Sequence, residues 1–373
     1  MPKLHLFFPE NDLALAKNTA RYTAPPTVVK LRRAGATLPL WYGAPGDFVL
    51  IDGINSQWYN RITDLFNIGT KPTAQYCADT SPAPWGWSLA SRHYFELKNT
   101  PDCMLPTDAE LARIRNLSHR HISIEIGSRL EKALQFRIAP TAKEFLSVDD
   151  IKKYIEELGS AVIKLPWSSS GRGIIPIEAK DLEKQSRAIE GILNKQGSAL
   201  VEPLYAKNLD FASLFEMNEG KCTFQGLSVF ETTGFGSYSG NILASTDELH
   251  RMIDIALGNN NQLDALLCAL PPILEDLIGK DYNGAIGIDM MAVNGEGYTL
   301  VPTVELNLRM TMGHVCHRFY RDYVESGKRG RFTVGQSANT GIIDCEIHNT
   351  RITKGTIDLA QPGSDFSFLV SID

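Results

Sequence analysis

The stretch "AVIKLPWSSSGRGI", Ala161–Ile174, decides the reading of this chain. It opens as a short apolar strand carrying one cation, Lys164, and continues into a loop of hydroxyls, glycines and backbone N–H groups. Polyphosphate needs that combination: a positive charge, and donors on a loop that comes close because glycine has no Cβ. The spacing matches neither of the common nucleotide fingerprints, "GxxxxGK[ST]" and "GxGxxG". Weight comes from downstream, where "GAIGIDMMAV" and "YTLVPTVELNLRMTMGH" carry Asp289, Glu305, Asn307 and Arg309.

Strand side chains alternate between faces, so Glu305, Asn307 and Arg309 share one face of "VELNLRM", and Val304, Leu306, Leu308 and Met310 share the apolar other. Polar residues at every second position also describe the wet side of any sheet. Asp289 tips the balance, because it interrupts an apolar strand in which an unpaired carboxylate would be costly. A symmetric four-residue turn "NGEG" would set Asp289 and Glu305 on opposite faces. A three- or five-residue loop around Gly295 and Gly297 sets them on the same face, and Pro302, which cannot donate a ladder bond, marks a bulge. Shared facing is the expectation. Two carboxylates and an amide oxygen are hard ligands suited to Mg²⁺ with substrate phosphates, and Arg309 would lie beside them.

Upstream, "KLHLFF" reads as a strand ending in "PEND", "PPTVVKLRRAG" as a helix and "DFVLIDG" as a second strand, an α/β unit with a parallel sheet. "PEND" then lies at the carboxyl end of the first strand, where such sheets bind ligands. Residues 71–106 have the composition of a packed loop, with Trp85 and Trp87. "SVDDIKKYIEELGS" is a capped amphipathic helix stopped by Gly159. "SALVEPLY" and "KCTFQGLSVFETT" are strands, "TDELHRMIDIAL" is a helix, and "NQLDALLCALPPILEDLIG" is a helix broken at Pro271-Pro272. A small β-rich tail follows from about residue 333.

The chain has 373 residues, a formal charge of −6 and scattered cysteines without a CxxC pair. Those features argue against a nucleic-acid or membrane-surface binder and for reduced cytosolic thiols. No stretch approaches the roughly 20 apolar residues of a membrane span; a cytoplasmic protein without nucleic-acid or membrane partners is expected. The basic run Arg113, Arg115, His119, Arg120, Arg129, Lys132 and Arg137 is broken by Glu125 and Glu131 and reads mainly as a solvated helix face.

Together these motifs resemble the ATP-grasp superfamily, whose members show a lysine strand with a flexible Gly-rich loop, a hinge glutamate and a terminal Asp…Glu-x-Asn set. Here they match "VIKLPWSSSGRGI", "ALVEPLYAKNLD" and "GIDMMAV…VELNLRMTMG", over about residues 116–320. The resemblance implies an α/β chain: a pre-ATP-grasp domain at 1–115, a two-lobed α+β core at 116–325 with its lid lobe at about 142–205, and the β-rich segment 326–373. It implies that Lys164 contacts ATP phosphates and that the loop of Ser168, Ser169, Ser170, Gly171, Arg172 and Gly173 closes over them. Glu202 and the backbone around Leu204 would meet adenine, Asp210 the ribose, and Asp289, Glu305 and Asn307 would hold two Mg²⁺. The family's earlier phosphate lysine has no counterpart before Lys132, and Arg120 in "LSHR" takes its place.

In the family, the glycine-rich turn Gly234–Asn241, with Tyr238 and Asn241, borders the acceptor substrate; a plain hairpin loop is the other reading. "HVCH" reads as packing rather than zinc, with His314 a neighbour of the phosphates. Glu10, Asn11 and Asp12 would bind an amine or hydroxyl substrate, or cap a helix. The implied activity is an ATP- and Mg²⁺-dependent carbon–nitrogen ligase that joins a small-molecule carboxylate to an amine through an acyl phosphate. Lys164 and Arg309 would be its charge-stabilising catalytic groups. The alternatives are an ATP-grasp kinase and a nucleotide-binding regulatory protein without turnover.

Overall fold

The structure, a computed structural model, describes residues 1–168, 173–233 and 238–373. The chain forms two compact units: Met1–Ile114 with Ser239–Leu249 and Arg309–Asp373, and Arg115–Tyr238 with His250–Leu308.

In the first unit, strand Lys3–Leu6 pairs in parallel with Phe48–Leu50 and with Ser81–Pro84, and Phe48–Leu50 pairs in parallel with Lys71–Thr73. The helix Pro26–Gly35 begins on proline, which suits a first helical position because its missing N–H has no intrahelical role there. Residues 71–106 are more ordered than their composition predicts. They hold those two strands and the helix Leu89–Leu97, whose capping box joins Ser88 and Ser91. The proline-rich strand Ser81–Pro84 occupies a sheet edge, where a missing ladder donor is tolerated. Trp85 is buried edge-on against Phe7 at 4.9 Å.

The C-terminal strands Gly330–Gln336, Phe366–Ile372, Arg351–Asp358 and Ile343–His348 form an antiparallel array in that order. Thr37 Oγ1 donates to the Leu359 carbonyl at 2.7 Å, Trp41 Nε1 donates to the same oxygen at 3.3 Å, and Phe7 meets Phe368 at 6.2 Å. These buried contacts seal the end of the chain against its beginning.

The second unit contains two sheets. The smaller runs in the order Lys143–Phe145, Ala199–Pro203, Ser160–Lys164, Ile174–Glu178, and two helices, Val148–Leu158 and Leu182–Gln196, cover it. Ile151, Ile155, Ile163, Ile189 and Val201 form its core. Ser147 caps the first helix by accepting from the Asp150 N–H, and Gly159 ends it at φ +75°.

The larger sheet places Gly284–Gly295 between Tyr298–Asn307 and Lys207–Asn218, with Lys221–Thr232 beyond, all antiparallel. The helix Gln262–Ile278 runs unbroken through Pro271 and Pro272, against expectation. Leu263, Leu266, Leu270, Leu274 and Ile278 form one fully buried stripe on both sides of the prolines. Burial of that stripe outweighs the two lost helical hydrogen bonds.

The helix His121–Ala133 lies close against strand Tyr298–Asn307. Thr303 Oγ1 donates to the Ser123 carbonyl and the Leu306 N–H to Ser123 Oγ, each at 3.0 Å. Gly127 permits the approach, since a Cβ there would meet Thr141 Cγ2 at 2.2 Å and Thr303 Oγ1 at 3.0 Å. Gly127→Ala is therefore expected to destabilise the protein by about 1–3 kcal/mol, the range for overpacking. A urea titration checks this as a lowered midpoint at unchanged slope.

Candidate functional site

Asp289 and Glu305 stand directly opposite each other in the hairpin and so share a face. The route to that register differs from the expected one. The closing pair is Gly295–Tyr298, so the turn has only Glu296 and Gly297, with Gly297 at φ +78°. An even turn alone would set the two carboxylates on opposite faces. One extra residue on the Asp289 strand, where Val293 and Asn294 face Thr299, reverses the facing. Asn294 turns its N–H to the Ala206 carbonyl instead. The irregularity at Pro302 lies between the Met291–Val301 and Asp289–Glu305 pairs; it adds two residues and leaves the facing unchanged.

On this face Asn307 lies opposite Gly287 and donates from Nδ2 to Asp289 Oδ2 at 3.2 Å. Asp210 joins it, being two residues from Ala212, the partner of Asp289 on the next strand. Ala212 and Gly287 are small and leave room above the polar row. The opposite face, with Ile286, Ile288 and Met290, is fully buried. The strand ends at Asn307.

Two buried cations border the same region of this unit. Arg120 donates from Nη2 to Glu305 Oε1 at 2.6 Å and to the Ser168 carbonyl at 3.5 Å. Lys164 Nζ lies 2.5 Å from Glu202 Oε1, with both side chains under a tenth exposed. Arg120, Lys164 and Glu202 line one pocket with Ser123, Leu200 and Thr303. Arg120 Nε and Ser168 Oγ are buried with no partner among the described residues. They leave one charged and one neutral donor suited to an anion.

Glu202, expected at adenine, holds Lys164 here. Leu204 is half-exposed, with its N–H turned to the Ser160 carbonyl at 3.4 Å. Asp210 accepts from Lys207 Nζ at 2.5 Å and Thr232 Oγ1 at 2.9 Å. Neither partner was marked in the sequence, although "KNLD" places Lys207 three residues before Asp210. Gly173 adopts φ +74° and its carbonyl accepts from the Leu165 N–H at 3.1 Å. Ser169, Ser170, Gly171 and Arg172 lie outside the described residues, as do residues 234–237 of the glycine-rich turn.

The first unit holds the remaining candidates except Tyr238. Arg309 forms a two-pronged ion pair with Asp12, Nε–Oδ2 2.9 Å and Nη2–Oδ2 2.7 Å. Glu10 is fully buried and paired with Arg32; burial raises its carboxyl above the usual range, against the lowering pull of Arg32. Glu10 Oε2 and Asn11 Oδ1 are buried acceptors with no partner among the described residues. A Cβ on Gly86 would strike Asn11 Nδ2 at 2.5 Å and Arg309 Cβ at 2.9 Å, so Gly86 lets these groups converge. Asn11 and Asp12 open the helix Asn11–Lys17, and the structure records no side-chain cap from Glu10. His314 is buried in the capping box of helix Met312–Tyr323, its Nδ1 accepting from the Thr311 N–H at 3.2 Å. His317, on that helix, has its ring pKa pushed down to about 4 by burial. Asn241 is buried opposite Phe332, and Tyr238 begins its strand.

The residues on the sheet face fit a hard divalent cation. Asp289 and Glu305 are carboxylates held face to face, and Asn307, donating through nitrogen to Asp289, keeps its oxygen for a metal.

No family model matches the sequence, and no curated protein does. Solved structures match in fold. Biotin carboxylase of Campylobacter jejuni, solved with a β-γ-ATP complex, is 12% identical with a TM-score of 0.54, over 100% of this chain and 88% of that one. The biotin carboxylase domain of Hydrogenobacter thermophilus 2-oxoglutarate carboxylase, solved with MgADP and bicarbonate, is 14% identical with a TM-score of 0.50, over 86% and 75%. Phosphoribosylamine–glycine ligase of Thermotoga maritima is 12% identical with a TM-score of 0.50, over 99% and 92%. These are ATP-grasp enzymes, and this chain has the ATP-grasp fold, mixed α/β with parallel and antiparallel sheets. Among the described residues no helix is long and apolar enough to cross a membrane.

Proposed function

We propose that the chain is an ATP- and Mg²⁺-dependent ligase that joins a small-molecule carboxylate to an amine, releasing ADP and phosphate. The observation that carries this reading is the polar row Glu305–Asp289–Asn307–Asp210 on one sheet face, in the unit whose pocket holds Lys164 and Arg120. Lys164 and Arg120 bind the phosphates, exchanging their carboxylate partners for phosphate oxygens. Asp289, Glu305 and Asn307 hold the cation, and Asp210 the ribose. Bound Mg²⁺ supplies charge neutralisation on the phosphates. A carboxylate oxygen of the substrate takes the γ-phosphoryl group as the bond to ADP breaks. The amine nitrogen then adds at the acyl carbon, phosphate leaves, and the nitrogen loses a proton. Positioning and charge stabilisation supply most of the catalysis in such a transfer.

Glu10, Asn11 and Asp12 offer oxygen acceptors for a cationic amine, and Arg309 a two-pronged donor for a carboxylate or acyl phosphate. His314, Tyr238 and Asn241 complete the expected acceptor set. A net hydrogen bond to a charged group is worth about 1.5–3 kcal/mol. The double substitution Glu10→Gln with Asp12→Asn is therefore expected to raise the KM for the amine by roughly 10- to 100-fold. Nucleotide affinity should not change.

The test is ADP release across amino acids, short peptides and polyamines paired with candidate carboxylates, repeated with hydroxylamine as acceptor. Hydroxamate that requires a carboxylate supports the ligase. Phosphorylation of a hydroxyl with no hydroxamate would make the protein a kinase, and nucleotide binding without turnover a regulatory protein.

A further inference from the structure

Away from the nucleotide pocket, three side chains of ligand type meet from two segments of the second unit. His119 and His121 flank Arg120 at the start of helix His121–Ala133, and Glu144 lies on the edge strand Lys143–Phe145. The two Nδ1 atoms are 2.8 Å apart, and His119 Nε2 is 3.6 Å from Glu144 Oε1. One ligand atom from each residue lies within 4.8 Å of the others.

We propose that His119, His121 and Glu144 form a binding site for one divalent transition-metal ion of the zinc class. Two imidazoles and a carboxylate favour such borderline cations, whereas Mg²⁺ prefers oxygen alone. Tetrahedral bonds of about 2.0–2.1 Å need ligand atoms roughly 3.3 Å apart, so the imidazole nitrogens would have to separate slightly and Glu144 to draw in. A second layer of contacts orients two of the ligands. The Trp167 ring packs edge-on against His119 at 4.5 Å and is itself fixed by its Nε1 bond to the Arg115 carbonyl at 3.0 Å. Ser198 Oγ donates to Glu144 Oε1 at 2.5 Å and so holds the carboxylate beside His119. His121 and Glu144 are exposed, so the ion has a path in and water a fourth position.

Two cations lie close by. Arg115 lies over the Trp167 ring at 3.8 Å, and the guanidinium of Arg120 is turned to Glu305. The ion would tie the edge strand of the smaller sheet to the first turn of the helix. It would also hold the backbone on both sides of Arg120, and so fix the pocket's arginine from outside the pocket.

Co²⁺ added to the full-length protein in excess Mg²⁺ tests the proposal. The expected result is saturable binding of a single equivalent, with the intense visible bands of a four-coordinate nitrogen and oxygen site, displaced by Zn²⁺. His121→Asn and Glu144→Gln alter exposed side chains, and each should weaken binding by at least about tenfold. Absence of saturable binding, unchanged affinity in both variants, or sulfur-to-cobalt charge-transfer bands would each overturn the proposal; the last would place the ion on cysteines. The outcome does not depend on ligase activity.

Discussion

Glu305→Gln is expected to cut ATP turnover by on the order of 10²–10³-fold while leaving the protein folded. Losing one preorganised charge at a phosphate-transfer site costs about 2.7–4 kcal/mol of transition-state stabilisation. Structure is spared because glutamine keeps an oxygen where Glu305 accepts from Arg120 at 2.6 Å, and the side chain is 20% exposed. ADP release and thermal melting, measured on the same preparation, separate the two effects. Unchanged turnover in a folded variant would remove Glu305 from the metal site, and the shared facing with Asp289 would then serve only the sheet.

Lys164→Met is expected to act on both stability and nucleotide binding. It leaves Glu202, 8% exposed, as an uncompensated buried charge, which costs about 3–5 kcal/mol. It also removes the cation proposed to bind phosphate. Adding Glu202→Gln should restore most of the stability, because replacing both members of a buried pair by neutral groups is often close to neutral. It should not restore nucleotide affinity, which needs the positive charge itself. Urea midpoints and nucleotide titrations of the single and double variants check the pair. Recovery of nucleotide affinity in the double variant would show that Lys164 serves only to neutralise Glu202.

The regular elements were legible where local chemistry alone specifies them. The Lys164 strand, the Ser147-capped helix and the apolar alternation around Asp289 each carry their own pattern, and the structure contains each. Register was harder. The shared face of Asp289 and Glu305 follows from one extra residue near Asn294, whose N–H finds Ala206 on a different strand. No reading of the hairpin alone contains that partner. The helix through Pro271-Pro272 was misjudged for the same reason, since proline penalties are local and the burial of Leu270 and Leu274 is not.

The candidate site divides in the same way. Residue types and spacing marked Lys164 and the carboxylate pair, and the family resemblance added Glu202 and Asp210, but neither told which cation meets which anion. Lys164 with Glu202, Arg120 with Glu305 and Asp12 with Arg309 are pairings across sequence distance. The His119, His121 and Glu144 cluster was invisible because its members belong to separate segments that read as solvated polar runs.

The contacts from Thr37 and Trp41 to Leu359 span 322 and 318 residues. During synthesis at about 5–20 residues per second, Trp41 leaves the ribosome roughly a quarter of a minute to a minute before its partner exists. The parallel sheet can pair early, with Phe7 against Trp85 and Trp41 against Phe66, but the sides of Phe7 and Trp41 that meet Phe368 and Leu359 stay open until the last strands emerge. The unit begun first is therefore completed after the sheets of the second unit have been made. A nascent chain stalled anywhere before residue 359 would carry an open aromatic face, the kind of surface that holding chaperones recognise.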